Sequence, residues 1–344
     1  MPSKPFVPMV LAAALLATAC GGSSGGGSSS SGNLGPTCTP TCREDMRQFV
    51  ESISAYARGT DPNFLVIPQN GHNLLTEDGL ADGTLATAYV AAINGVGRED
   101  LFYGYTGDNI ATPSDAHDEM IGFMDLALDH GVMPIVIDYV ATGSANIATS
   151  YTSNDGLGYL SFAATHRDVD NIPTETTYAS YYPHNPNTDD VTTLAQAANV
   201  LYLLNPCCVG DGDNAAYLST LQATSYDVLI IDATLPDGTD LSPSDVASLK
   251  TKAGGGSRLV IAYMSIGEAE NYRYYWQSGW KRGSPAFIGP VNPDWPGNYK
   301  VRYWEPEWQA IITGNDTSYT QRLLDAGFDG AYLDIIDAFE FWEE

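Results

Sequence analysis

The residues of this chain best able to do chemistry are carboxylates placed after apolar runs. Asp334 and Asp337 follow Ala331-Tyr332-Leu333, Asp138 follows residues 132–137, and Asp232 follows residues 226–231. Glu268 comes shortly after the run 258–263, and Glu99 stands just before the expected strand 100–103. A parallel strand covered on both faces is a near-continuous apolar run, and an unpaired carboxylate inside it would be costly. All of these acids except Glu99 are therefore expected just past the C-terminal ends of strands, the edge at which α/β folds collect reactive groups. Two such groups suit the hydrolysis of a glycosidic bond: one carboxyl protonates the leaving oxygen while another attacks the sugar or activates water. Helix capping competes for Asp337, which precedes Ala338-Phe339-Glu340 as a cap would.

Other chemistries find less in the sequence. His72, His117, His130, His166 and His184 form neither an H-x-x-x-H nor an HExxH pair, so no metal site is expected. No G-x-S-x-G elbow marks a serine hydrolase. Gly95-Val96-Gly97 lacks the third glycine and the preceding strand of a dinucleotide fingerprint, and no cofactor is expected. All six tryptophans fall in the last quarter among Tyr272, Tyr274, Tyr275, Tyr299 and Tyr303, where aromatic faces could pack on sugar rings or fill a core.

The elements that must position these acids alternate. Strands are expected at 64–68, 100–103, 132–137, 158–162, 226–231, 258–263, 299–303 and 331–333. The first ends in Gln69-Asn70-Gly71, the fourth leads to His166-Arg167-Asp168, and the seventh runs into Trp304-Glu305. Helices are expected at 43–58, 85–93, 114–130, 242–252 and from 308, with helical or mixed structure at 191–204 and a long loop at 171–190. About eight strands alternating with helices predict a (β/α)8 TIM barrel, with a doubly wound open sheet as the alternative.

The N-terminus reads as a targeting segment. Lys4 precedes an apolar run, 6–16, too short to span a bilayer, which ends in Leu16-Ala17-Thr18-Ala19-Cys20. This resembles a bacterial lipobox, with Ala17 where leucine is usual. Residues 1–19 are expected to be a lipoprotein signal peptide, Cys20 the lipidated residue, 20–42 a Gly/Ser-rich tether, and 43–344 one domain. Such a protein would be exported and lipid-anchored to the cell envelope, or simply secreted. The four remaining cysteines suggest disulfides, and pairing of Cys207 and Cys208 with Cys38 and Cys42 is expected over bonding between neighbours. The net charge of −27, from 15 Lys+Arg and 42 Asp+Glu, disfavours nucleic acid and anionic lipid and favours a neutral or cationic partner. A solubilising or salt-adapted surface would account for the same charge.

Three stretches resemble a known family: Ala262-Tyr-Met-Ser-Ile-Gly-Glu-Ala-Glu-Asn-Tyr-Arg-Tyr-Tyr-Trp276, Asn292-Pro-Asp-Trp-Pro-Gly-Asn-Tyr-Lys-Val-Arg-Tyr-Trp304, and the segment 327–342. They are similar to bacterial and archaeal barrel proteins related to glycoside hydrolase family 114, the endo-α-1,4-polygalactosaminidases. The resemblance extends over nearly all of 44–344 but in a different segment order, as in a circular permutant with barrel strands five to eight first and one to four second. It implies Asp334 as nucleophile, with Asp337 the second acid of its motif, and Glu99 as general acid/base. Asp138-Tyr139 resembles an acid-tyrosine pair, and Gly267-Glu268 a strand-two motif. Asp337, Asp232, Glu268, Tyr303, Trp304, Asn70, Asp138, Tyr139 and Arg167 are expected at the substrate. Relatives often carry Glu where His72 stands. The expected activity is cleavage of an α-1,4-linked galactosamine-type, cationic polysaccharide by a monomer. A polysaccharide-binding lipoprotein without turnover, or a glycosidase for another glycan, are the alternatives.

Overall fold

The computed structural model describes residues 38, 41–178 and 182–343. The expected signal peptide, lipidation site and most of the tether lie outside them. Eight strands form two parallel sheets: β1 Leu65–Pro68, β2 Gly95–Glu99, β3 Met133–Tyr139, β4 Leu160–Ala164, β5 Val200–Leu203, β6 Val228–Asp232, β7 Leu259–Ser265 and β8 Gly330–Asp334. The larger sheet runs β1-β8-β7-β6-β5 and the smaller β2-β3-β4. A parallel bridge, Gln69 to Gly97, lies just past β1, and Asn70 N donates to Gly97 O at 2.8 Å. At the other edges, Leu204 N after β5 donates to Val169 O after β4 at 3.0 Å. The fold is thus mixed α/β built on parallel sheets.

Nearly every residue of these strands is buried, as two-sided parallel strands require. Their register brings the chemistry to one edge: Asp334 of β8 is level with Ser265 of β7, and Asp232 of β6 with Tyr263. Helices cover the sheets. The first, Cys42–Thr60, starts at Thr41, whose hydroxyl accepts from Glu44 N at 3.1 Å, and buries Met46, Phe49, Val50, Ile53 and Ala57. It packs against the helix Ala338–Glu343 at the other end of the chain, where Arg43 N donates to Glu343 at 3.2 Å. Ser242 and Asp245 cap the helix Pro243–Leu249 reciprocally, with Pro243 in its first turn.

Four expectations are corrected. The strand expected at 100–103 lies at Gly95–Glu99, with Glu99 its last residue. Two glycines hide it from propensity, and Gly97 is needed because a Cβ there would collide with the Tyr332 hydroxyl and Gln69 Oε1. The segment expected at 299–303 is not one of the parallel strands. Asn298–Val301 is the middle of an antiparallel sheet between Glu268–Glu270 and Ile288–Val291. Val200–Leu203, expected as helical or mixed, is β5, a short apolar run that periodicity alone cannot assign. Cys38 pairs with Cys42, Cα atoms 4.9 Å apart, while Cys207 and Cys208 are exposed free thiols. Cys38 and Cys42 lie next to one another at the start of the first helix, and geometry satisfies them locally.

Candidate active site

The strand ends surround a cavity of about 450 Å³. Its wall takes Asn70 just after β1, Glu99 from β2, Tyr139 from β3, Arg167 after β4, Tyr202 from β5, Asp232 from β6, Tyr263 from β7 and Asp334 from β8. Six of the eight parallel strands contribute a residue, and the turns after β1 and β4 contribute the other two.

Glu99 is held by its neighbours' donors. The Tyr139 hydroxyl donates to one oxygen and Asn70 Nδ2 to the other at 3.2 Å. Tyr139 is itself fixed by Arg167, whose guanidinium lies 3.9 Å over the ring. Arg167 in turn donates to Asp108 at 2.7 Å, Asp100 at 3.0 Å and Gly104 O at 2.9 Å. Burial, then the charge of Glu99, pushes Asp100 up to about 7 against the pull of Arg167.

Asp334 receives the Tyr263 hydroxyl at 2.8 Å and the Ile335 amide at 2.7 Å. Burial first, and the Glu99 charge second, push it up to about 8, so these donors offset only part of the cost of a charge there. Asp337 also faces the cavity and is raised to about 6, by burial and then Glu340. The turns that aim these groups are tight. Asn70, Asp100 and Ile335, each directly after or within two residues of a cavity strand, have φ of 59°, 60° and 59°.

Asp232 lines the cavity with both oxygens already engaged. Arg273 donates to them at 2.8 and 2.7 Å, and Thr234 adds its amide and hydroxyl. Arg273 also donates to Glu270 at 2.6 Å, and the Tyr272 hydroxyl reaches the same carboxylate at 2.6 Å. Arg273, Glu270 and Tyr272 line the cavity, as do Tyr202, Tyr263 and Trp295. Tyr202, Tyr263, Glu270 and Arg273 carry no mark of a site residue in the sequence. The cluster of aromatics after Glu268 was a signal for Tyr272 and Trp295. Nothing local marked Tyr263, which ends an apolar run.

The remaining expected site residues do not line this cavity. Asp138 is fully buried, accepting from the amides of Phe102 and Tyr103, from Ser150 and from Asn154, and so ties the loop after β2 to the helix Asn146–Leu157. Glu268 is buried in the antiparallel sheet against Asn292 at 2.9 Å and Lys300 at 3.2 Å. The buried Tyr303 hydroxyl donates to Cys42 O at 2.7 Å, and the Trp304 ring packs between Tyr303 and Trp342. His72 sits behind the wall, against Phe123 and 3.3 Å from Arg98, and burial followed by the Arg98 charge lowers its pKa. Among the described residues no three His, Cys, Asp or Glu side chains come together as metal ligands.

Comparison with known proteins bears on the second half of this site. Residues 207–343 match the model of glycoside-hydrolase family GH114. An uncharacterized protein of Methanocaldococcus jannaschii is 37% identical over 161 residues, 46% of this chain and 43% of that protein. Uncharacterized proteins of Deinococcus radiodurans and Thermotoga maritima are 42% and 37% identical over 123 and 124 residues, each 36% of this chain and 37% and 36% of the relative. The chain thus spans less than half the length of these curated relatives. From the turn after β5 to the helix after β8, which includes Asp232, Glu270, Arg273, Asp334 and Asp337, the chain is glycoside hydrolase family GH114-like.

Proposed function

We propose that this protein is an exported glycoside hydrolase that cleaves an α-1,4-linked galactosamine-type polysaccharide, with Asp334 as nucleophile and Glu99 as general acid/base. The observation that carries this reading is the convergence of these two carboxylates, each held by a tyrosine hydroxyl, on one cavity at the strand ends. Asp334 would attack the anomeric carbon as Glu99 gives its proton to the leaving oxygen. Water, deprotonated by Glu99, would then displace the sugar from Asp334 with net retention.

In the free protein, burial and the Glu99 charge favour a proton on Asp334. The ammonium of an amino sugar beside Asp334 and Asp337 would stabilise their charged forms, the state in which Asp334 can attack. A cationic polymer therefore supplies the electrostatics that the pair lacks by itself, and the net charge of −27 would draw it in.

The same reading takes the eight strands as a closed (β/α)8 barrel in circularly permuted order. Its supports are the Gln69–Gly97 bridge, the Leu204–Val169 hydrogen bond and the family match that begins at residue 207. Cys20 is the proposed lipid anchor, and radiolabelled palmitate should be lost from Cys20→Ala.

The test uses purified protein and oligomers of α-1,4-linked galactosamine. New reducing ends should form, with the α-anomer first by NMR, and Asp334→Asn and Glu99→Gln should each lose about 10²–10⁴-fold in rate. Wild-type rates in either variant would remove that residue from the mechanism. The proton favoured on Asp334 also suits a glycan-binding protein without turnover, which would retain the oligomers and release no reducing ends.

A further inference from the structure

Cys207 and Cys208 stand in the turn Pro206–Gly212 after β5. Both are exposed, and their sulfurs are 3.1 Å apart. Cys207 lines the cavity beside Asp168, Asn205 and Pro206. The turn is pinned on both sides of the pair: Asn205 Nδ2 donates to Asp168 O, Leu204 N to Val169 O at 3.0 Å, and Val209 is buried. Neither thiol has another cysteine to meet among the described residues, since Cys38 and Cys42 are bonded to each other.

We propose that Cys207 and Cys208 are a covalent modification site on the cavity rim, which closes to a vicinal disulfide on reaction with a small-molecule disulfide. Closure needs the sulfurs to approach by about 1 Å, to the usual bond length of about 2.05 Å. Adjacent Cα atoms are about 3.8 Å apart, less than the 4.4 Å or more of an ordinary disulfide, so the bridge is strained and readily reduced again.

The order of attack follows from the surroundings. The hydrogen bond to Cys207 and then burial push the Cys208 thiol up to about 12, and Cys207 is the sulfur that lines the cavity, where an oxidant arrives first. The Cys207 thiolate attacks one sulfur of the oxidant, forming a mixed disulfide and releasing one thiol. Cys208 then gives up its proton and attacks Cys207 Sγ, expelling the second thiol. Two electrons and two protons pass from the pair to the oxidant, which leaves as two thiols. The rim changes from two thiol groups to one S–S bridge.

The experiment treats the reduced, folded protein with oxidised glutathione, quenches with iodoacetamide, and reads the intact mass and peptide map. The expected product has lost two hydrogens, both in the peptide holding Cys207 and Cys208, and neither sulfur is alkylated. Mild dithiothreitol should restore both alkylation sites. In Cys208→Ser the reaction should stop at a glutathione adduct on Cys207. Two alkylated thiols, a stable glutathione adduct on the wild-type pair, or covalent dimers would each overturn the proposal. The readout does not depend on which glycan, if any, the cavity takes.

Discussion

Replacing Asp334 by Asn is expected to stabilise the fold near neutral pH while removing the chemistry. The folded-state pKa of Asp334 is about 8, against an ordinary 3.8. Between these values the folded chain binds more protons than the unfolded one, so the contribution of Asp334 to stability falls as pH rises through that window. Each unit is worth about 1.4 kcal/mol, and at about pH 7 roughly three units apply, an upper bound of about 4 kcal/mol. Asparagine keeps an oxygen for the Ile335 amide and turns its amide to the Tyr263 hydroxyl, which can accept. The measured gain should therefore be about 2–4 kcal/mol at neutral pH and vanish below about pH 4. Urea denaturation of both proteins at several pH values reads it directly. A difference that stays flat across the window, or a wild type more stable at neutral pH, would refute the burial argument for Asp334.

Two further substitutions separate site from scaffold. Tyr139→Phe removes the hydroxyl that holds Glu99; kcat/KM should fall about 10–100-fold, from a charge-assisted hydrogen bond of about 1.5–3 kcal/mol, with little change in melting temperature. Lys252→Met strands Asp227, its fully buried partner at 2.7 Å, and should cost about 3–5 kcal/mol in urea denaturation. Asp227 would keep only Asn187 and the Ala198 amide as partners for its carboxylate.

The sequence reveals the strand ends of the site more readily than the interactions across it. Asp334 and Asp232 close apolar runs and stand at the strand edge, whereas Asp138 closes a similar run yet lies within its strand, buried against four donors that the sequence does not announce. Glu99 could be singled out while its strand was misplaced, because Gly95-Val-Gly-Arg-Glu lacks the β-branched and aromatic residues that mark strands. Its glycine answers to Tyr332, more than two hundred residues away. Arg273 and Asp232 meet across a sequence separation of 41, and no local pattern encodes such a pair. Glu268 and Glu270 show the limit most clearly. They share a short strand, yet one is sealed under Lys300 and the other reaches the cavity, a choice made by the path of the antiparallel sheet. Counting cysteines gave an even number but not the partners, which depended on where residue 38 meets the first helix.

The left-handed turn at Ile335 has a consequence for laboratory evolution. A β-branched side chain at φ 59° costs roughly 1–2 kcal/mol that glycine would not. Ile335 also packs against the core, so a substitution there trades that strain against lost apolar contact. The same turn hands its amide to Asp334 and lies next to the cavity wall. Heat-tolerant clones recovered there would keep their fold at higher temperature with a looser grip on that carboxylate. Lineages selected for heat alone and for turnover alone should part at this position where the strain outweighs that contact.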